Sequence, residues 1–246
     1  MKVFFHSDFY EVYTSDPAAA EGRMESVVEI IKKKVEIIKP LPATKMEIAL
    51  AHSEEHIQSV EKQGLFPIAA LAAGAALQAA VEGLTVPSFG LIRPPGHHAS
   101  RGAAWGFCYF NNMAIAFLTL QEQEKIQTGY ILDIDMHYGD GTDNILKDNQ
   151  NIIVHNLHTE DRNEFMQEVA TEMSRCKADL IGISAGFDNH INDWGGVLLT
   201  EDYELIGQMV KAAAQRNGGG CFGLLEGGYN HKVLGENVMA LIRGLS

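Results

Sequence analysis

The chain has 246 residues, of which 46% are hydrophobic and 21% charged, with a formal net charge of −13. That length can bury a real core and fits one large α/β domain or two small ones. The acidic balance argues against a nucleic-acid partner, because phosphate contacts need clustered Lys and Arg, and no run of about 18 uncharged apolar residues is present to span a membrane.

Lys2 to Phe5 reads as a first strand. A helix is expected from about Gly22 to Ile38, with Val27, Ile30, Ile31, Val35 and Ile38 as its apolar stripe and Pro40 and Pro42 ending it. Its Lys32-Lys33-Lys34 run reads as a solvated face. Ser53 can cap a helix starting at Glu54, closed by Gly64. Pro67 then opens an Ala-rich helix, Ile68 to about Val81, stopped by Gly83. Its small side chains suit an interior position, and the run is short for a membrane span. Ser88 to Ile92 reads as a strand, Asn112 to Glu122 as a helix, and Tyr130 to Leu132 as a short buried strand. Asn151 to Val154 is another strand and Arg162 to Cys176 a helix. Asp179 to Ser184 is a strand, followed by a helix over Glu201 to Arg216 capped by Thr200. Cys221 to Leu225 is the last strand, and a helix closes the chain.

Strands alternating with helices predict a three-layer α/β fold over residues 1–246, one domain with a predominantly parallel sheet and helices on both faces. Sites in such sheets collect beyond the carboxyl ends of the strands, and every chemically loaded motif here follows a strand. Cys108, Cys176 and Cys221 form no CxxC pair and read as reduced thiols in a cytoplasm. Met1 to Asp8 shows no signal-peptide pattern.

The richest stretch is Gly129 to Thr142. Strand alternation places Asp133, Asp135 and His137 on one side as the strand ends, with Gly139 and Gly141 turning the chain tightly afterwards. Two carboxylates and an imidazole together are costly to desolvate without a cation. Asp135, His137 and Asp188 are the expected metal ligands, since three protein ligands leave a position for water at a catalytic zinc site. The two carboxylates also suit Fe²⁺, Co²⁺ or Mn²⁺. His97 and His98 sit in a Pro/Gly-framed loop and can share proton traffic around a bound water. Each needs a carboxylate to orient it, and Asp133 and Asp140 are available. Tyr229 follows Gly227-Gly228, where a phenol can hydrogen-bond an oxyanion. Gly106 and Phe107 are candidates to line a substrate slot, although an aromatic after Gly also suits core packing.

Five segments carry a resemblance: Arg93–Ala99 (RPPGHHA), Gly106–Asn112 (GFCYFNN), Asp133–Thr142 (DIDMHYGDGT), Ser184–His190 (SAGFDNH) and Leu225–Asn230 (LEGGYN). In this order they resemble the histone deacetylase superfamily, most closely its class II and bacterial acetylpolyamine-amidohydrolase branches. The resemblance implies the arginase/deacetylase fold and zinc-dependent hydrolysis of an acyl, chiefly acetyl, amide on acetyl-lysine, an acetylpolyamine or another small acylated amine. It places Asp135, His137 and Asp188 on the zinc. It makes His98 the general base and acid paired with Asp140, His97 its electrostatic partner paired with Asp133, and Tyr229 the group that polarises the carbonyl. It also implies a structural K⁺ held by backbone oxygens of Asp133, Asp135 and His137, with Asn156 and Leu157.

The chain departs from that pattern. Tyr138 stands where the family usually has a second His, and the stretch from His158 to Asp188 is about half the expected length. The Phe-Pro-Gly-rich loop that supplies one channel wall is missing, Gln63–Pro67 is short, and no acidic rim residue precedes the Ala-rich helix. These trims imply a shallow, open pocket for a small-molecule or peptide acyl-amine, or one completed by a second copy in a homo-oligomer. Two rivals are an arginase-like ureohydrolase with two manganese ions, which Asn189 after Asp188 disfavours, and a non-catalytic module that binds an acylated ligand.

Overall fold

The computed structural model describes all 246 residues. Seven strands form one all-parallel sheet: β1 (Lys2–Phe4), β2 (Glu36–Ile38), β3 (Ser88–Gly90), β4 (Gly129–Asp133), β5 (Ile152–Asn156), β6 (Leu180–Ala185) and β7 (Gly220–Leu225), in the order β2-β1-β3-β7-β6-β4-β5. β4, β6 and β7 are buried along their whole length, as a sheet covered on both faces requires.

Nine α-helices cover the sheet: α1 (Arg23–Ile31), α2 (Lys45–Ala51), α3 (Glu54–Lys62), α4 (Phe66–Gly83), α5 (Asn112–Glu122), α6 (Asp140–Leu146), α7 (Arg162–Arg175), α8 (Thr200–Asn217) and α9 (His231–Leu245). The strand pleat separates them into two layers. Phe222 of β7 reaches Phe117 of α5, with ring centroids 5.8 Å apart, whereas the next residue, Gly223, lies against Leu245 of α9. α4 and α5 therefore pack on one face and α1, α8 and α9 on the other.

α4 is the Ala-rich helix, and its burial follows from its composition. Thirteen of its residues are buried, and the small side chains let the chain before α2 lie directly on it. By length and composition it passes for a membrane span, longer than the sequence pattern predicted, but 72% of it is buried inside the protein. It is a core helix.

Four local expectations need correction. The helix expected to reach Ile38 stops at Ile31, and residues 36–38 add an edge strand in register with Lys2–Phe4. The β-branched Ile37 and Ile38 suit that strand better than another helical turn. α2 was unforeseen, although Thr44 and Glu47 form a capping box: Glu47 N donates to Thr44 Oγ1 and Thr44 N to Glu47 Oε2. The turn expected around Gly139 and Gly141 is instead the start of α6. Thr200 does not cap α8. Leu199 is the cap residue, its amide donates to Asp202 Oδ2, and the Thr200 hydroxyl donates to Asn237 Oδ1. Ser53 does cap α3, accepting from His56 N at 3.3 Å.

Gly74 tests the close seat of α4. A Cβ there would stand 2.1 Å from the Leu41 carbonyl oxygen and 2.4 Å from the Ala43 amide nitrogen. Gly74→Ala should lower the stability measured by urea unfolding by about 1–3 kcal/mol, the usual range for overpacking. An unchanged midpoint would show that this contact is looser than described.

Candidate active site and metal centre

Four adjacent strands, β3, β7, β6 and β4, deliver the motifs to one edge of the sheet. Residues 93–98 follow β3, residues 226–229 follow β7, residues 186–188 follow β6, and residues 134–137 follow β4. The convergence is not simple strand alternation. β4 ends at Asp133, and Asp135 and His137 lie on the turn beyond it. That turn is held by Ile134 N donating to Ser184 O and by Asp135 N donating to Asp133 Oδ1.

Asp135, His137 and Asp188 offer three ligand atoms within 4.8 Å of one another. His137 Nδ1 lies 3.1 Å from Asp135 Oδ1 and 3.0 Å from Asp188 Oδ2. Both carboxylates are buried. Gly227 N donates to Asp135 Oδ2 and Met136 N to Asp188 Oδ1, whereas the buried Asp188 Oδ2 has no neighbour to pair with except the His137 ring. Without a cation this cluster is electrostatically unsettled. Burial and the Asp135 charge push the Asp188 carboxyl up to about 7, and hydrogen bonds to the two carboxylates drive His137 up to about 10. A divalent ion placed among the three atoms resolves both shifts, so the residues fit a metal. Gly227 belongs to the same cradle, since a Cβ there would meet Asp135 Oδ2 at 2.6 Å and Asp188 Oδ2 at 2.7 Å.

The histidine pair lies beside this centre, ring to ring at 4.0 Å. His97 Nδ1 donates to Asp133 Oδ2 at 3.0 Å, and His98 Nδ1 to Asp140 Oδ1 at 2.7 Å, so each Nε2 is left toward the site. Their titrations diverge. Burial lowers His97, but the Asp135 and Asp133 carboxylates outweigh it and hold this imidazole well above its usual range. Burial and the neighbouring His97 push His98 down to about 4, against the pull of Asp140. One imidazole thus holds its proton while the other is free to take one.

Tyr229 reaches the same edge. Burial, then the Asp135 charge, raises its phenol, which therefore keeps its proton and can donate. Phe107 meets it edge-on, with centroids 5.9 Å apart. Gly106 and Phe107 both take positive φ, 58° and 67°. The glycine adopts that conformation without strain, and a Cβ on it would strike the His98 ring at 2.3 Å. Tyr138, in contrast, is exposed. Asn156 pairs with Asp133 across β4 and β5, and Leu157 N donates to Asp133 O.

Several residues at the site carry no spacing signal. Trp105 donates from Nε1 to Asp140 Oδ2 at 2.9 Å and lies over His98 with centroids 3.8 Å apart. Asp193 Oδ2 accepts from the amides of Tyr229 and Asn230, and the neighbouring Trp194 stacks on the Tyr229 ring at 4.0 Å and 23°. The fully buried Arg23 donates to Gly228 O and Glu226 O and sits over the Tyr229 ring. Glu226 is also fully buried. Its Oε2 accepts from Gly96 N and His97 N, and Oε1 has no partner. The buried charges were the readable hint, because an apolar strand running into Glu demands partners.

The architecture is the arginase/deacetylase α/β fold. The HD domain of HDA15 superposes on it with a TM-score of 0.87 at 24% identity, covering 99% of this chain and 88% of that one. The model of the histone deacetylase domain matches residues 18–169 and 160–245, and the chain belongs to that family. A probable deacetylase of Methanothermobacter thermautotrophicus is 26% identical, over 99% of this chain and 90% of the relative. One of Archaeoglobus fulgidus is 30% identical, over 89% and 74%. The mouse polyamine deacetylase HDAC10 is 28% identical, over 82% of this chain and 40% of its own length. The first of these alignments runs over 302 positions against a chain of 246, so that relative carries insertions this chain lacks, in keeping with trimmed loops.

Glu226 generates a test that needs no metal. Burial raises its carboxyl to about 7 from an ordinary 4.5, so folding favours the neutral form. That contribution is whole below about pH 4.5 and is lost as pH rises through about 7. In the metal-free chain, wild type should therefore lose stability relative to Glu226→Gln between those limits, by on the order of 3 kcal/mol. Urea unfolding of both proteins across that range measures it. A constant difference would show that Glu226 is not strained by its ionisation.

Proposed function

We propose that this deacetylase-family chain removes an acetyl group from a small acylated amine or an acyl-lysine side chain, using a single divalent cation, zinc foremost, held by Asp135, His137 and Asp188. The observation that carries the reading is the buried meeting of those three ligand atoms beside two histidines, each hydrogen-bonded through Nδ1 to its own carboxylate. When bound, the cation supplies Lewis-acid polarisation of the acyl carbonyl and makes a water more acidic near neutral pH.

The chain's own residues account for the remaining chemistry. His98, fixed through Nδ1 by Asp140, accepts through Nε2 a proton from the water whose oxygen attacks the carbonyl carbon. His97, hydrogen-bonded through Nδ1 to Asp133, is placed to offset the negative charge growing on the carbonyl oxygen. Tyr229 donates a hydrogen bond to that oxygen. As the carbon–nitrogen bond breaks, His98 returns its proton to the amine, and acetate and the free amine leave. Trp105 holds Asp140 and covers His98, which keeps the dyad aligned.

The mononuclear reading is favoured over a ureohydrolase by Asn189. Its side chain donates to Ile134 O, a structural bond in place of a second acidic ligand, and one three-ligand cluster is present. A K⁺ behind β4 belongs to the same proposal, drawing on the carbonyl of Asp133 beside Asn156 and Leu157. Three free, buried cysteines support a reducing, cytoplasmic setting.

Tyr229→Phe should lower kcat on a fluorogenic acetyl-lysine or an acetylated diamine by about 10²–10³, with KM and bound metal retained. A native rate would remove the tyrosine from the mechanism. Dialysis against a chelator should abolish hydrolysis, and Zn²⁺ should restore it. Full activity of a demonstrably metal-free chain would exclude the assignment.

A further inference from the structure

His97 and His98 are each fixed by a carboxylate, but the Tyr229 hydroxyl is paired with no group of the chain. The hydrogen bond at this residue is made by its backbone amide. Behind it stand Gly227 and Gly228, and Gly228 sits at φ 112°, in the region that favours glycine. A donor that meets a developing oxyanion acts best when it already stands in place. With two glycines behind the phenol, that placement has to come from contacts to its ring and to the backbone that follows.

The segment after Asp188 supplies both. Gly195 N donates to Asp188 O at 2.7 Å and Asp193 N to His190 O at 2.8 Å, which closes residues 188–195 into a tight turn. A Cβ at Gly195 would meet Asn189 Cα at 2.8 Å, so the turn has no slack there. One carboxylate of this turn then holds two aromatic residues in register. Asp193 Oδ1 accepts from Trp194 N, and Asp193 Oδ2 accepts from Tyr229 N and Asn230 N. The Asn230 side chain donates to Asn192 O, a further tie between the two segments. The indole lies on the phenol ring with centroids 4.0 Å apart and planes within 23° of parallel.

Two other side chains meet that ring. The Arg23 guanidinium lies 5.5 Å from its centroid, and Phe107 meets it edge-on. Arg23 is fully buried, whereas Trp194 is 51% exposed, so the indole is the neighbour on the solvent side. An indole left half in water adds little to the core. Its contribution here is a flat wall against which the phenol cannot tilt.

We infer that Trp194 is a positioning residue: its indole, clamped to the same carboxylate as the Tyr229 backbone, fixes the phenol with its hydroxyl toward the acyl oxygen. Its catalytic consequence rests on the hydrolytic reading of the neighbouring centre. Trp194 acts through Tyr229 and touches no reacting atom.

Two readouts separate the stack from the reaction. The chain has two tryptophans, so Trp105→Phe, used for emission alone, leaves Trp194 as the one indole. In that background Tyr229→Leu should move the emission to longer wavelength and raise its quenching by acrylamide. Tyr229→Phe, which keeps the ring, should leave both near their starting values. Turnover of a fluorogenic acetyl-lysine by the zinc-loaded full chain is the second readout. Trp194→Ala should lower kcat about five- to tenfold, the scale of one lost aromatic pair, and Trp194→Phe should restore most of it. In a Tyr229→Phe background the same Trp194→Ala change should cost less than about twofold, because the hydroxyl it positions is gone. An equal loss in both backgrounds, or emission indifferent to Tyr229→Leu, would overturn the inference and leave the hydrolytic reading standing. Emission that responds to Tyr229→Leu, in a zinc-loaded chain that turns over no acetyl-lysine, would uphold the stack and remove the proposed reaction.

Discussion

Two buried carboxylates and an imidazole nitrogen share a space a few ångströms across at the edge of the sheet, with backbone amides but no Lys or Arg to balance the two charges. Two like charges and a lone pair in so small a buried volume repel strongly. The protein's response without a cation is visible in the shifts: a proton is drawn onto His137 and toward Asp188. A divalent ion removes that conflict and turns a destabilising cluster into a binding site. Most of the surrounding structure can be understood as holding this arrangement in place.

The holding is done by buried polar groups. Glu226 ties the loop bearing the histidines to β7 through the amides of Gly96 and His97. Arg23, reaching over from α1, fixes the carbonyls of Glu226 and Gly228. Asp193 grips the backbone of Tyr229 while Trp194 covers its ring. Three of the four motif-bearing loops are thus tied together by Glu226, Arg23 and Asp193. Such ties cost desolvation and are retained where position matters. Around this site two half-exposed indoles remain, Trp105 and Trp194, with a cavity beside Trp194.

Much of this was legible in the sequence because the informative residues are local. Alternating apolar segments gave the order of elements, and motifs at strand ends pointed to Asp135, His137 and Asp188, which the structure clusters, and to the histidine pair and Tyr229 beside them. The parallel sheet then brings them together without further information. What stayed hidden depends on distance in the fold. β2 exists because β1 offers it an edge, which no window around Ile37 reveals. Arg23 lies about two hundred positions from the carbonyls it binds, and Trp105 acts on Asp140 across a loop crossing. α2 is the exception: its Thr44–Glu47 capping box was present in the sequence and carried the signal.

The account stands or falls on where a metal binds. Crystals loaded with Zn²⁺ and measured at the zinc absorption edge would locate it by anomalous scattering. One peak per chain is expected, about 2.0–2.2 Å from Asp135, His137 and Asp188, with a fourth position open toward His98 and Tyr229. No peak there, or a pair of peaks bridged by carboxylates, would contradict it.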